Sequence, residues 1–322
     1  MVADEIKFID SSQLPSTWKT AKRGWGHPLH KLSQYIGQYP PSLAHFFIRQ
    51  YSQPGQIVFD PFSGGGTTAL EALLSHRKAF AIDAFNYAYT LSRAKARPME
   101  LCAFEQYLKR KLKEAEGQPK KLALLDDPNL KIFYSEKTLD EILRLRAVLM
   151  DDDSDEAVFL KGLVCGILHG PSNMFLSLSM KDTVSSTPGY VERYVKEHKL
   201  VKPERKIYEC AMNKARRCLT AGIPDRKGKI FHGDARSVPM DDESVDFVLT
   251  SPPYLSVLDY SWNNRLRVWW LGDNRREEQK KLMRSGMEAA YRQFMREVCR
   301  EMFRIMKPDA AFVIVVGDVK KT

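Results

Sequence analysis

Three consecutive glycines, Gly64, Gly65 and Gly66, interrupt "VFDPFSGGGTTALEA" (58–72) between an apolar run and a helix-forming run. Three adjacent residues without a Cβ fit poorly in either regular element. They let the chain turn sharply and let another group come close to its backbone. Upstream, "QIVFDPF" (56–62) reads as a short buried strand; downstream, "TTALEALLSH" (67–76) reads as a helix. "KAFAIDA" (78–84) and "NYAYTLSRAKA" (86–96) repeat the pair. A strand–helix–strand–helix rhythm implies parallel strands joined by crossovers, an α/β fold.

The rhythm holds in two blocks. "PPSLAHFFIRQYS" (40–52) precedes the first as a helix opened by proline. "KIFHGDA" (229–235) and "VDFVLTSPP" (245–253) read as strands, 262–306 as helical with a break near Gly286, and "AAFVIVVGD" (310–318) as a last strand. Between the blocks, 98–228 reads as a helical insertion, with helices in "FEQYLKRKLKEAE", "EKTLDEILRLRAVLM", "DEAVFLKGLVCGILHG", "GYVERYVKEHKL" and "ERKIYECAMNKARRCL". The expected organisation is one domain from 27–97 and 229–322, with 98–228 inserted as a region that could recognise a nucleic acid.

Composition narrows the partners. The chain has 322 residues and a formal net charge of +10, which suits a polyanion without requiring one. No apolar run is long enough for a membrane span and the first ten residues lack a signal pattern, so a soluble intracellular protein is the expectation. The five cysteines are scattered without C-x-x-C spacing, and the histidines form no metal-binding pair. Neither a disulfide framework nor a metal site is expected.

The glycine loop departs from the G-x-G-x-x-G of dinucleotide folds and puts Asp60 at the end of its strand, where it would repel a pyrophosphate. S-adenosylmethionine, with an ammonium, a sulfonium and no phosphate, suits it better. Asp60, Pro61, Phe62, Ser63, Gly64, Gly65, Gly66 and Thr67 are then the segment for the methionine part. Asp83, 23 residues beyond Asp60 and followed by Ala84, ends the next strand, where a carboxylate can take two ribose hydroxyls. Asp234, followed by Ala235, ends a third strand, within reach of an adenine edge. Each acid alone could be a turn residue or a cap; three at successive strand ends beside this loop favour a ligand.

The strand ending in "TSPPY" carries the second cluster. Pro252 and Pro253 fix φ and lack N–H groups, so their carbonyls point in set directions without competing donors. Ser251 adds a hydroxyl acceptor and Tyr254 a flat face. Such a slot accepts both N–H hydrogens of an exocyclic amine and stacks its ring, as a pocket for a flipped nucleobase must. With those hydrogens held at Ser251 and the Pro252 carbonyl, the nitrogen's lone pair is directed at an incoming methyl group. No metal is required.

"FDPFSGGGTT" followed later by "TSPPY" resembles the S-adenosylmethionine-dependent DNA methyltransferases that modify exocyclic amines. The resemblance covers 27–97 and 229–318 and implies a Rossmann-like methyltransferase sheet, the first motif for the cofactor and the second for catalysis. Members with serine in the second motif are mostly cytosine-N4 enzymes; those with Asp or Asn are mostly adenine-N6 enzymes. It also implies that "HPLHKLSQYIGQYPPSLAHFFI" (27–48) closes over the methionine end. The implied partner is double-stranded DNA, in a prokaryotic restriction–modification setting, cytoplasmic and nucleoid-associated. Adenine-N6 methylation, and a non-catalytic cofactor- and DNA-binding subunit, are the alternatives. Two features depart from the family: the large insertion after the second strand, and a sheet that lacks its usual last strands. They lead to the expectation of a truncated chain, one half of a split enzyme or an enzyme with a second chain; a homodimer is also open.

For DNA contact, the basic stretches 108–121 and 194–206 stand out, with Lys181, Ser185, Ser186, Thr187 and Tyr190. Each is equally an ordinary solvated segment. Trp269 and Trp270 read as core, and His30 as structural.

Overall fold

The computed structural model describes residues 25–119, 129–180, 187–253, 259–282 and 288–316. A 3-10 turn at Pro28–Lys31 is followed by α1 (Pro41–Tyr51), β1 (Ile57–Asp60), α2 (Thr67–Leu74), β2 (Lys78–Asp83) and α3 (Asn86–Ala96). Residues 98–228 hold, among those described, α4 (Leu101–Glu116), a single turn α5 (Leu130–Phe133), α6 (Glu136–Leu149), α7 (Asp155–Cys165), α8 (Pro188–Glu197) and α9 (Ile207–Cys218). Then come β3 (Lys229–His232), β4 (Val245–Thr250), α10 (Tyr260–Asn263), α11 (Arg265–Trp270), α12 (Arg275–Lys281), α13 (Glu288–Ile305) and β5 (Met306–Ile314).

The five described strands form one parallel sheet in the order β3-β2-β1-β4-β5. Successive side chains of a strand face opposite ways, and the core divides accordingly. Val58, Ala79, Ala81, Phe247 and Leu249 face Leu43, Phe47, Ala69 and Leu73 of α1 and α2. Their neighbours Phe59, Ile82 and Val248 face Val298, Met302 and Ile305 of α13. The central strands β1 and β4 are short and apolar because both faces are covered.

The helices of 98–228 bury their apolar stripes in one cluster with the outer layer of the sheet domain. Phe104, Phe159, Leu163 and Ala211 share it with Leu29, Leu70, Phe85 and Leu91, and Trp269 and Trp270 close it as core residues. Ser135 and Ser154 cap α6 and α7, accepting from the amides of Thr138 and Ala157. The acidic run 151–155 is less solvated than its charge suggests. Asp155 pairs with Arg93 of α3 and with Arg97 just beyond it, tying α7 to α3, and Asp152, ahead of α7, pairs with Lys111 of α4.

Two helical expectations shift. The helix expected over 155–170 ends at Cys165, and its cap Gly166 lets the Leu32 carbonyl approach where a Cβ would collide with it. The stretch 262–306 is divided among α10 to α13, with turns at Asn264 and at Gly272–Asn274. The break expected near Gly286 lies outside the described residues.

Candidate active site

β1 lies between β2 and β4, so the chain leaves β1 on one side and returns on the other. A crevice opens at such a switch point beyond the carboxyl ends of the strands. Here it is a cleft of about 780 Å³, a volume typical of small-molecule sites. The pairing of Phe59 with Val248 sets the glycine loop after β1 beside Ser251 after β4. Among the residues expected at a site, Pro61, Phe62, Ser63, Gly64, Gly65, Thr67, Asp83, Ala84, Asp234, Ala235, Ser251, Pro252 and Pro253 line this cleft. Tyr254 lies outside the described residues, as do Lys181, Ser185 and Ser186.

Asp60 and Gly66 sit behind the wall. Asp60 is 2% exposed and accepts from the Phe62 amide (3.0 Å), the Thr68 hydroxyl (2.6 Å) and the Thr250 hydroxyl (2.6 Å). Thr68 belongs to α2 and Thr250 ends β4, so one carboxylate joins the strand, helix and strand that carry the two motifs. Burial raises its pKa to about 6 against those three donors. Gly66 caps α2 at φ 73° and packs on Ser92 of α3.

Asp83 accepts from the Gly64 amide (2.8 Å) and the Phe85 amide (3.0 Å). A carboxylate has about four acceptor positions, so two are left for the cleft, the number a vicinal diol needs. Burial pushes its pKa up to about 7, with Asp60 and Glu278 adding to the rise. Asp234 is held by Arg236 at 2.7 Å, which keeps its carboxyl below the usual range. Arg236 also reaches Glu297 at 3.0 Å and lies over the Phe294 ring. Phe294 and Phe62, with ring centroids 5.9 Å apart, form the apolar wall beside this pair.

The segment before α1 covers the glycine loop. Gln38 donates to the Thr67 hydroxyl at 2.5 Å, and Tyr39 shares a hydrogen bond with Thr68. Tyr35 lies against Gly64 and stacks between Tyr87 and Tyr260. His30 is buried and bonded to Glu71 at 2.7 Å, a structural role in keeping with its position.

Sequence reasoning named neither Tyr35, Gln38 and Tyr260 nor Arg236 and Phe294 individually, although all line the cleft. Tyr35 and Gln38 fall within the quoted 27–48 segment, and Arg236 lies two residues beyond Asp234. Phe294 carried no local signal, because only the docking of α13 brings it to Phe62. No group of three or more His, Cys, Asp or Glu able to hold a metal occurs among the described residues. Nor is any described helix long and apolar enough to cross a membrane.

Residues 9–93 match a family model for DNA methylases of the N6/N4 methyltransferase type. Over 389 aligned positions the chain is 21% identical to the type II methyltransferase M.MjaII of Methanocaldococcus jannaschii, covering 91% of this chain and 72% of that protein. A 45-residue stretch is 49% identical to the orphan methyltransferase M.BamHII of Bacillus amyloliquefaciens, covering 14% of this chain and 17% of that protein.

Proposed function

We propose that this chain, which belongs to the exocyclic-amine DNA methyltransferase family, methylates the N4 amine of cytosine in double-stranded DNA with the target base flipped from the stack. Methyltransferases of this family use S-adenosylmethionine, which when bound supplies an electrophilic methyl group on a sulfonium.

The observation that carries the reading is the junction of β1 and β4. It sets the glycine loop and Ser251-Pro252-Pro253 on one cleft, with Asp83 and Asp234 at the ends of β2 and β3. The cleft's chemistry fits the cofactor. Asp83 has acceptor positions for a ribose diol and Phe62 with Phe294 offers an apolar face, whereas Asp234, which already accepts from the Arg236 amide and guanidinium, takes an adenine edge only in exchange for Arg236. The loop from Phe62 to Thr67, covered by Tyr35 and Gln38, takes the methionine part, and Asp60 keeps that loop in register with β4. The Ser251 hydroxyl and the Pro252 carbonyl accept the amine hydrogens, leaving the nitrogen lone pair aimed across the cleft. Tyr254 stacks the base. Fixed acceptors need no rearrangement as charge develops on the nitrogen.

Serine at position 251 supports cytosine over adenine. The inserted 98–228 region serves DNA recognition in this account. Its helix α8 buries only Val191 and carries a stack of Tyr190, Tyr194 and His198, with Arg193 and Lys196 on the same helix.

The test is transfer of labelled methyl to duplexes whose only methylatable exocyclic amine is that of cytosine or that of adenine, with Ser251→Ala alongside. Label in the cytosine duplex alone, lost in the variant, is expected. Label in the adenine duplex alone would keep the pocket and replace the base. Cofactor binding without transfer to either would favour a non-catalytic subunit.

A further inference from the structure

Lys95 lies on α3 with no exposed surface, and its Nζ donates to the Gly65 carbonyl at 2.5 Å. That carbonyl belongs to the middle glycine of the loop lining the cleft. One turn earlier on the same helix, Ser92 packs so tightly on Gly66 that a Cβ there would fall 2.8 Å from its Oγ and 2.9 Å from its Cα. α3 therefore grips the loop at two successive residues from behind, while Tyr35 and Gln38 cover it from the other side. A lysine is a costly residue to bury for one carbonyl bond, since its ammonium has three donors and no acceptor.

We infer that Lys95 is a positioning residue for the cofactor: it holds the Gly65 carbonyl inward, and its charge state sets how readily the loop accepts a cation. The inference rests on the cofactor reading above. Burial pushes the Lys95 pKa down to about 7, with Lys214 of α9 acting in the same direction and Cys218 of α9 opposing it. His30 and Lys31 approach this region from the 3-10 turn, and Glu71 of α2 is engaged by His30 and His45. No carboxylate forms an ion pair with Lys95 among the described residues, so its charge is not cancelled locally.

A cation entering the cleft repels the protonated amine, so binding favours the neutral form and expels a proton. By linkage, affinity for such a ligand is weak below pH 7 and rises as pH passes through the Lys95 value. S-adenosylmethionine carries a net positive charge. S-adenosylhomocysteine, the thioether left after transfer, is a neutral zwitterion and shares the rest of the molecule. The lysine thus treats donor and product differently through charge alone.

The test is calorimetric titration of both compounds from pH 6 to 8.5 with the whole chain. Wild type is expected to gain about fivefold in S-adenosylmethionine affinity across that range, the change that a one-unit fall in the Lys95 pKa on binding produces there. It should gain much less for S-adenosylhomocysteine. Lys95→Met should bind the donor with a smaller pH slope, keeping only what the ionisation of Asp83, pushed up to about 7 in the same cleft, contributes, whereas His30→Gln should keep the wild-type slope. If Lys95→Met fails to fold, wild type alone decides: titrations at pH 7 in buffers of different ionisation enthalpy should show more proton release for the donor than for the product, since any release from Asp83 is shared by both. Equal slopes for the two compounds, or a Lys95→Met variant with the wild-type slope, would overturn the inference and leave the cofactor reading intact. Failure of wild type to bind either compound would overturn both.

Discussion

Replacing Gly66 with alanine isolates the geometry on which the cleft depends. Gly66 has φ 73° and ψ 28°, the left-handed region, where an alanine costs about 1–2 kcal/mol. Its Cβ would also meet Ser92 at 2.8 and 2.9 Å, the second approach being to the backbone Cα. A backbone atom cannot swing aside, so α3 or the loop must shift, at an overpacking cost of roughly 1–3 kcal/mol. The sum is about 2–5 kcal/mol. At ~2 °C per kcal/mol for a chain of this size, the melting temperature should fall by roughly 4–10 °C. Gly55→Ala is the internal reference. Gly55 has φ 87° but no atom within 4 Å of its Cβ position, so it bears the backbone cost alone, about 1–2 kcal/mol. Melting of the three proteins by circular dichroism reads the difference. Equal losses for the two variants would refute the close approach of α3 to the loop.

Three further outcomes follow from the site. Asp60 and Asp83 have folded-state pKa values of about 6 and 7, above the usual carboxylate range, so their contribution to stability is full below about pH 4 and is withdrawn as pH rises through those values. For Asp60 the difference is about 3 kcal/mol, and urea titrations between pH 4 and 8 should show stability from these two groups falling with pH. Asp83→Asn keeps one acceptor oxygen but gives an amide donor in place of the other; cofactor affinity should drop by about tenfold or more, read by calorimetry. On α8, Arg193→Gln with Lys196→Gln should weaken DNA binding uniformly across sequences and reduce the salt-dependence slope by about one for each phosphate no longer neutralised, read by anisotropy at several salt concentrations. An unchanged slope would remove α8 from the DNA interface.

The sheet was legible because its signals are local. β1, β2 and β4 each hold a short apolar run, and the acids Asp60, Asp83 and Asp234 mark the ends of three strands or the turn just beyond; the last strand runs Met306–Ile314 rather than over 310–318, taking in the polar Lys307 and Asp309. Parallel pairing then had to bring those ends to one edge. The helices of 98–228 were legible as helices for the same reason, from apolar spacing and caps such as Ser135 and Ser154. What local pattern could not convey was depth. Asp60 reads as a strand-end acid like the other two, yet Thr68 and Thr250 draw it behind the wall, eight and 190 residues away in the chain. Phe294 reads as one apolar position on a helix, and only tertiary docking against Phe62 makes it part of the cleft. Lys95 carries no local sign of burial in the helical run 86–96, yet it is fully enclosed, with α7 packed on its helix and Lys214 and Cys218 of α9 close by. Long-range packing decides these three residues, and no window of sequence contains it.

Nucleoside analysis by mass spectrometry of mixed genomic DNA, after incubation with the chain and methyl-labelled S-adenosylmethionine, reads the transferred group itself. Labelled N4-methylcytosine is expected, absent when Ser251→Ala replaces wild type. Labelled DNA from the Ser251→Ala protein at the wild-type level would contradict this expectation, because the amine would then be activated somewhere other than the acceptors at the end of β4.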